Sequence, residues 1–549
     1  MSSPKGVTFV LSVALVPPAL VVLRSFLNPR YLIDTPKTLL GLYLIIYLLA
    51  VRGITIPYFT SPLRALPQPT GSGGFLSGDG GAEFVQPRGK RYREWIDSIP
   101  HSGLIFFRGF LHAVQTVVLA SPEALYDVLV TNSYDFEKPS PGRKLLSRTI
   151  GEGLINTEGP EHKFQRKGVT PAFSGKHIRE LVPIFWAKSQ EVFNAIADVH
   201  LTTQVPVDGS TKSTRTGVVE INQWASRVTL DIIGLACVGR DFGSIRNSDD
   251  EFVQQYEKIL RTDNSIPIFY AIATIITPLW LGRLTPFWTR FRLASDGRYR
   301  LRGLCKRLIE VKRRDMQTES AKHIDILSVL IRNGQFNDEQ LVSQLLTFLA
   351  AGHETTSGAL TWTSWLLAIH PEIQTKLRDE IRAFTETGAP VDATALDNLP
   401  YLHAVTSEQL RLWPSVPNTG RLTVRDSTIL GQRIPKGTMI VISPWAINRS
   451  TKLWGPDAEK YVPERWLGNE KEPQYGGAKG AFSLITFLHG PRGCIGQTFS
   501  RLELKCLVMA MVQKFEISMA DPDEVIVPGG FITIKPKDGM RLRLKEIVA

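Results

Sequence analysis

Cysteine is scarce in this chain. Cys237, Cys305, Cys494 and Cys506 are the four among 549 residues, and they are widely scattered. Their spacings match neither a disulfide framework nor a zinc site, so a reducing compartment is the expectation. No basic run with interleaved aromatics occurs, which argues against a nucleic-acid partner. No internal repeat is visible, which removes solenoids and propellers. Charge of one sign is not extreme either. Lys and Arg total 64 against 52 Asp and Glu, a net +12, with the basic residues dispersed. The bland reading of that excess is solubility. The sharper one is docking to an acidic partner and to anionic lipid headgroups.

Long apolar runs are confined to the N-terminus. Residues 6–23 carry no charge and are marginally long enough to span a bilayer, with Pro17-Pro18 as a kink. Residues 38–51 are also uncharged but short, and read as an interfacial helix or a second span. Arg24, Arg30 and Lys37 outnumber Lys5, which places the chain after Leu23 on the cytoplasmic side. If both segments cross, the N-terminus starts in the cytosol instead. No small-x-small site follows Leu23, so a cleaved signal peptide is not expected. This gives a membrane anchor over 1–60, a Pro/Gly-rich hinge over 61–82, and one large catalytic domain over 83–549.

What is present is concentrated around one cysteine. The run Phe487-Leu488-His489-Gly490-Pro491-Arg492-Gly493-Cys494-Ile495-Gly496 fixes five of its ten positions as Phe-x-x-Gly-x-Arg-x-Cys-x-Gly. Its glycines let the backbone pass close to something flat and bulky. Cys494 lies near the start of a helix, where the dipole and free N–H groups favour a thiolate. Arg492 adds a charge that holds an anion. A thiolate beside a flat, acidic cofactor reads as haem iron with its propionates. A lone cysteine would be a small buried hydrophobe; the full spacing removes that reading.

A second signal is Ala351-Gly352-His353-Glu354-Thr355-Thr356, inside an apolar-periodic stretch from Asp338 to about Ile369. Asn337 with Gln340 forms a capping box, and Pro371 closes the helix. At ~1.5 Å per residue it is close to 50 Å long, enough to cross a domain. Thr355 can bond back to a carbonyl one turn earlier and open the helix locally.

On these motifs the chain resembles the cytochrome P450 family of haem-thiolate monooxygenases, from about residue 65 to 545. The resemblance implies a mainly helical fold with small β-sheets. It makes Cys494 the axial ligand of haem b, with Phe487 and Gly490 in the cysteine loop. It puts Ala351 over the haem face, makes Glu354 a proton relay, and has Thr355 hydrogen-bond the oxygen being activated. Glu408 and Arg411, as E-x-x-R, join Arg465 of Pro463-Glu464-Arg465-Trp466 in a buried structural cluster. His162, where the family usually has Trp, together with Arg166 and Arg421, would anchor the propionates. The substrate pocket would use Thr347, Ala350, Val416, Thr419, Gly530 and Phe531.

The resemblance also implies a mechanism and partners. Electrons come from NADPH through a separate reductase, since no nucleotide-binding glycine fingerprint occurs here. Cytochrome b5 is a second candidate donor. The substrate is a lipophilic small molecule, and dioxygen is the cosubstrate. The expected location is the endoplasmic reticulum membrane, with the catalytic domain facing the cytosol. A tailoring step in fungal secondary metabolism is the first reading, and sterol or fatty-acid hydroxylation the second. A haem-thiolate isomerase or dehydratase is disfavoured because Glu354-Thr355-Thr356 is intact. A non-catalytic haem- or lipid-binding membrane protein is the remaining alternative.

Outside these motifs, Ser121-Pro122-Glu123 predicts a short helix. Thr202 to Gly217 reads as a polar surface loop. Val424 to Ser443 alternates like strands, and Phe531–Ile534 with Met540–Leu544 predicts a C-terminal strand pair. The sequon Asn448-Arg449-Ser450 is expected to stay unmodified in the cytosol.

Overall fold

The structure is a computed structural model that describes residues 60–547, apart from 71–77, 110–113, 207–212, 247–249, 261–287, 319–323, 469–475, 479 and 531. Both N-terminal apolar segments, 6–23 and 38–51, lie outside the described residues. Among the described residues, no helix is long and apolar enough to cross a membrane.

Among the described residues helices dominate, and the longest of those described organises the rest. Asp338–Ile369 runs for 32 residues and begins on the capping box expected from sequence. Asn337 Oδ1 accepts from Gln340 N–H at 2.9 Å, and Gln340 Oε1 accepts from Asn337 N–H at 3.2 Å. The helix is buried nearly all round, which explains its apolar residues on every face. Against it pack Ile221–Val238 and Gln497–Lys514. Residues such as Val228, Ile232, Leu345, Leu349 and Leu507, all at most 2% exposed, form the main core there.

A second core lies under a five-stranded sheet. Its spatial order is Leu104–Arg108, Gln115–Leu119, Met439–Ile442, Thr419–Thr423 and Phe136–Glu137. The strands expected between Val424 and Ser443 are Ser427–Ile429, Gln432–Ile434 and Met439–Ile442. The short helix after Ser121 is Pro122–Tyr126, with Ser121 Oγ accepting from Ala124 N–H.

Three expectations need correction. The polar run from Thr202 to Gly217 contains two antiparallel strands, Thr203–Pro206 and Ser213–Glu220. The second pairs with Arg541–Glu546, whose edge supplies partners that local polarity does not reveal. For the same reason the C-terminal strand pair is differently made. Arg541–Glu546 pairs with Phe515–Met519, and Lys535–Pro536 pairs with Pro528–Gly529. Finally, the stretch read as a hinge over 61–82 is packed at both described ends. Ser61 caps the turn Pro62–Ala65, and Leu63, Leu66 and Ala82 are buried in the second core.

Candidate active site

The cysteine loop is shaped before the Gln497–Lys514 helix begins. Cys494 N–H donates to Phe487 O at 2.8 Å, which folds the ten residues back on themselves. Gly490 has φ +73°, and a Cβ there would stand 2.0 Å from Leu129 O. Only glycine fits. Cys494 is solvent-accessible, yet burial is the main influence on its thiol and pushes it up, against the Gly496 N–H and Arg166. The Gly496 N–H and Arg166 favour the thiolate, the direction expected from a helix start, and burial opposes them.

The long helix faces this loop. Phe173 lies between them, 4.0 Å from a Cβ built on Gly496 and edge-to-face with Phe348 at 5.1 Å. One turn past Phe348, Ala351 is exposed and Ala350 partly exposed, in the middle of a helix whose other exposed residues lie at its ends. Thr355 Oγ1 donates to Ala351 O at 2.7 Å, the back-bond expected at this position. Glu354 is half-buried beside it. Thr347 is buried, donating to Ser343 O and packed against Gly153. Val416 and Thr419 are half-buried on the chain leaving the Pro400–Leu412 helix. Phe531 lies outside the described residues.

Beside the cysteine loop, cations gather with few acids. Arg421 is 2% exposed, and burial lowers it to about 10. Its Nη1 donates only to Thr419 Oγ1 and its neighbour Gly420 O. Burial holds Lys138 well down, and Arg421, Arg492 and Arg143 add to that depression. Burial also holds His162 down to about 4, with Lys138, Arg166 and Arg421 nearby. His162 Nδ1 lies 3.3 Å from Tyr134 Oη. Arg492 forms an ion pair with Glu158, and none of its guanidinium nitrogens has a well-formed hydrogen bond. Arg166 is turned instead to the loop, donating to Gly493 O at 2.7 Å.

Burying like charges together is costly unless an anion completes the set. Among the described residues, Glu137 and Glu158 are the acids paired into this group of five cations, Lys138, Arg143, Arg166, Arg421 and Arg492. Their excess fits a flat cofactor with two carboxylates lying against Cys494. Sequence reasoning missed Lys138 and Arg143, which lie in a Pro-rich loop and short helix with no motif of their own.

A third group supports the loop from beneath. Glu408 and Arg411 are both fully buried and paired bidentately at 2.8 and 2.7 Å. Arg465 Nε donates to Glu408 Oε1 at 2.9 Å, and Trp466 Nε1 to Glu408 Oε2 at 3.0 Å. Arg411 also donates to the carbonyls of Asn448 and Ala458. Asn448 in turn bonds Ile485 N–H and Thr486 Oγ1, directly before Phe487. Asp457 Oδ2 lies 3.0 Å from Arg465 Nη2, so Trp466, Asp457 and Asn448 extend the expected triad. Asn448 is 0% exposed, so the folded chain offers no glycosylation acceptor there.

Comparison with known proteins fits this arrangement. The family model described as Cytochrome P450 matches residues 105–541. The cytochrome P450 monooxygenase sphH of Aspergillus fumigatus is 39% identical over 499 residues, covering 89% of this chain and 90% of that protein. The cytochrome P450 monooxygenase ptmK of Penicillium ochrochloron is 35% identical over 500 residues, covering 90% and 96%. With its accessible cysteine, cationic cluster and open alanine in the family's order, this chain belongs to the cytochrome P450 family of monooxygenases.

Proposed function

We propose that the chain is a membrane-anchored haem-thiolate monooxygenase that inserts one oxygen atom into a lipophilic small molecule, as a tailoring step in fungal secondary metabolism. The observation that carries the reading is the solvent-accessible Cys494, in a loop bordered by buried and under-neutralised cations. In this reading Cys494 ligates the iron of haem b. Arg421, Arg492, Lys138, Arg143 and His162 hold its propionates, and Arg166 steadies the loop carbonyl beside the ligand. When bound, the haem supplies the activation of dioxygen, using electrons passed from NADPH by a separate reductase.

The chain's own residues do the rest. Ala351 has a single methyl group, which leaves room for oxygen and substrate. Because the Thr355 hydroxyl donates to Ala351 O, its oxygen remains able to accept a proton-bearing partner. Glu354 takes protons from solvent and passes them toward Thr355. Half-buried Ala350, Val416 and Thr419 present small or apolar surface to a lipophilic molecule. The N-terminal segments hold the domain at the cytosolic face of the endoplasmic reticulum, where the reductase meets it.

Metabolite profiling of a strain lacking the gene tests this. The expected result is loss of an oxygenated metabolite and accumulation of a relative one oxygen atom lighter. Unchanged secondary metabolites, with altered membrane sterols or hydroxy fatty acids, would assign the enzyme to housekeeping oxidation instead.

A further inference from the structure

Glu354 sits in the middle of the long helix, yet its carboxylate is held by residues from the far end of the chain. Lys535 Nζ lies 2.9 Å from Glu354 Oε1. Thr533 Oγ1 donates to the same oxygen at 3.1 Å. The turn that carries both is tight. Gly530 has φ +99°, and a Cβ there would meet Thr533 O at 2.1 Å. Between them, Ile534 is fastened on both sides. Its carbonyl accepts from Trp362 Nε1 at 3.1 Å, and its N–H donates to Ser415 O at 2.9 Å. Ser415 Oγ then donates to Thr355 O at 2.8 Å. A ring of contacts therefore runs from Glu354 through the C-terminal turn and Ser415 back to Thr355.

The charges facing Glu354 are few. Burial pushes its carboxyl up, and Lys535 leads the influences that more than offset this, leaving it below the ordinary value. His353 lies next to it in the helix, bonded to Ser226 at 2.8 Å and 3.5 Å from Tyr256 Oη. Burial holds His353 down to about 4 and pushes the Tyr256 phenol well up, so both are neutral near pH 7. Among the described residues, Lys535 is then the full charge on this carboxylate. The Lys535 and Glu354 side chains keep 25% and 30% of their solvent contact, beside His353 and Thr356 at 5% and 2%.

We propose that Lys535 and Thr533 are positioning residues of the proton relay, holding the Glu354 carboxylate at the C-terminal turn, where it meets solvent. The proposal rests on the relay reading of Glu354. It makes the C-terminal turn part of the proton path as well as a neighbour of the substrate.

The test compares full-length, haem-loaded protein with K535M, K535R, T533V and E354Q. Infrared difference spectra against pH follow the Glu354 carboxyl, whose band is the one missing from E354Q. In K535M its midpoint rises by about one pH unit or more, as loss of a cation within 4 Å requires; K535R restores it. The pH profile of hydrogen peroxide released per NADPH consumed moves upward with it. T533V moves the midpoint in the same direction by less. A carboxyl midpoint that stays in place in K535M overturns the role of the lysine, even if activity falls. If instead the midpoint moves but E354Q keeps normal turnover and peroxide release, the relay reading itself fails, and the positioning role with it.

Discussion

At the scale of single residues, chemistry depends on what each side chain leaves open. Ala351 is exposed within a buried helix, directly opposite the cysteine loop in the proposed arrangement. Ala351→Phe fills that space without touching Cys494 or the cationic cluster. The expected variant binds haem, keeps the thiolate-type spectrum of its reduced carbonyl complex, and loses or redirects turnover. Unchanged product regiochemistry and rate would place the helix elsewhere. Three imidazoles make a separate claim about pH. Burial first, then nearby cations, hold His162 and His403 down to about 4, and burial does the same for His353, against the ordinary 6.5. In each, the folded state disfavours the proton. Their stabilising contribution is therefore complete above about pH 6.5 and is lost as pH falls toward about 4. His403→Gln removes one of these titrations from the helix that carries Glu408 and Arg411. The urea midpoint of that variant should fall less steeply across this window, by the equivalent of one proton. An unchanged slope would mean that His403 titrates normally in the folded chain.

At the scale of elements, the pieces legible in sequence were those whose partners lie nearby in the chain. The long helix showed its cap, its length and its Thr355 back-bond, because all three depend on residues within a few positions. The Glu408–Arg411 pair was legible for the same reason, being one helical turn apart. What escaped was non-local. Ser213–Glu220 becomes a strand because Arg541–Glu546 offers its edge, more than 300 residues on. Lys138 and Arg143 join the cationic cluster through tertiary folding alone. The hydrogen bonds of Trp466 and Asn448 to the buried cluster were equally hidden. That cluster yields a prediction at this scale. Arg465→Ala strips one cation from fully buried Glu408 and should cost about 3–5 kcal/mol, as breaking a buried ion pair does. The cluster supports the segment leading into Phe487, so little haem-loaded protein should be recovered. Normal yield and haem content from Arg465→Ala would deny the cluster its supporting role.

At the scale of the whole molecule, the two cores meet at the cysteine loop, with Phe487 packed on one and Leu488 on the other, and the N-terminal segments are proposed to bring that site to a membrane. Removal of residues 1–60 should release the protein from membranes, most completely at high salt, where attraction to anionic headgroups is screened. The described domain starts with Leu63 and Leu66 already in the core, so the cut should leave folding intact. A truncated protein that still behaves as membrane-integral would contradict the anchor. The central claim, however, is the chemistry of the site: a haem held by Cys494 and neutralised by the surrounding cations. The absorption spectrum of the reduced carbonyl complex tests it most directly, recorded on the full chain and on Cys494→Ser. The account predicts the red-shifted thiolate-type band in the natural chain and its loss in the variant. Persistence of that band in Cys494→Ser would contradict it.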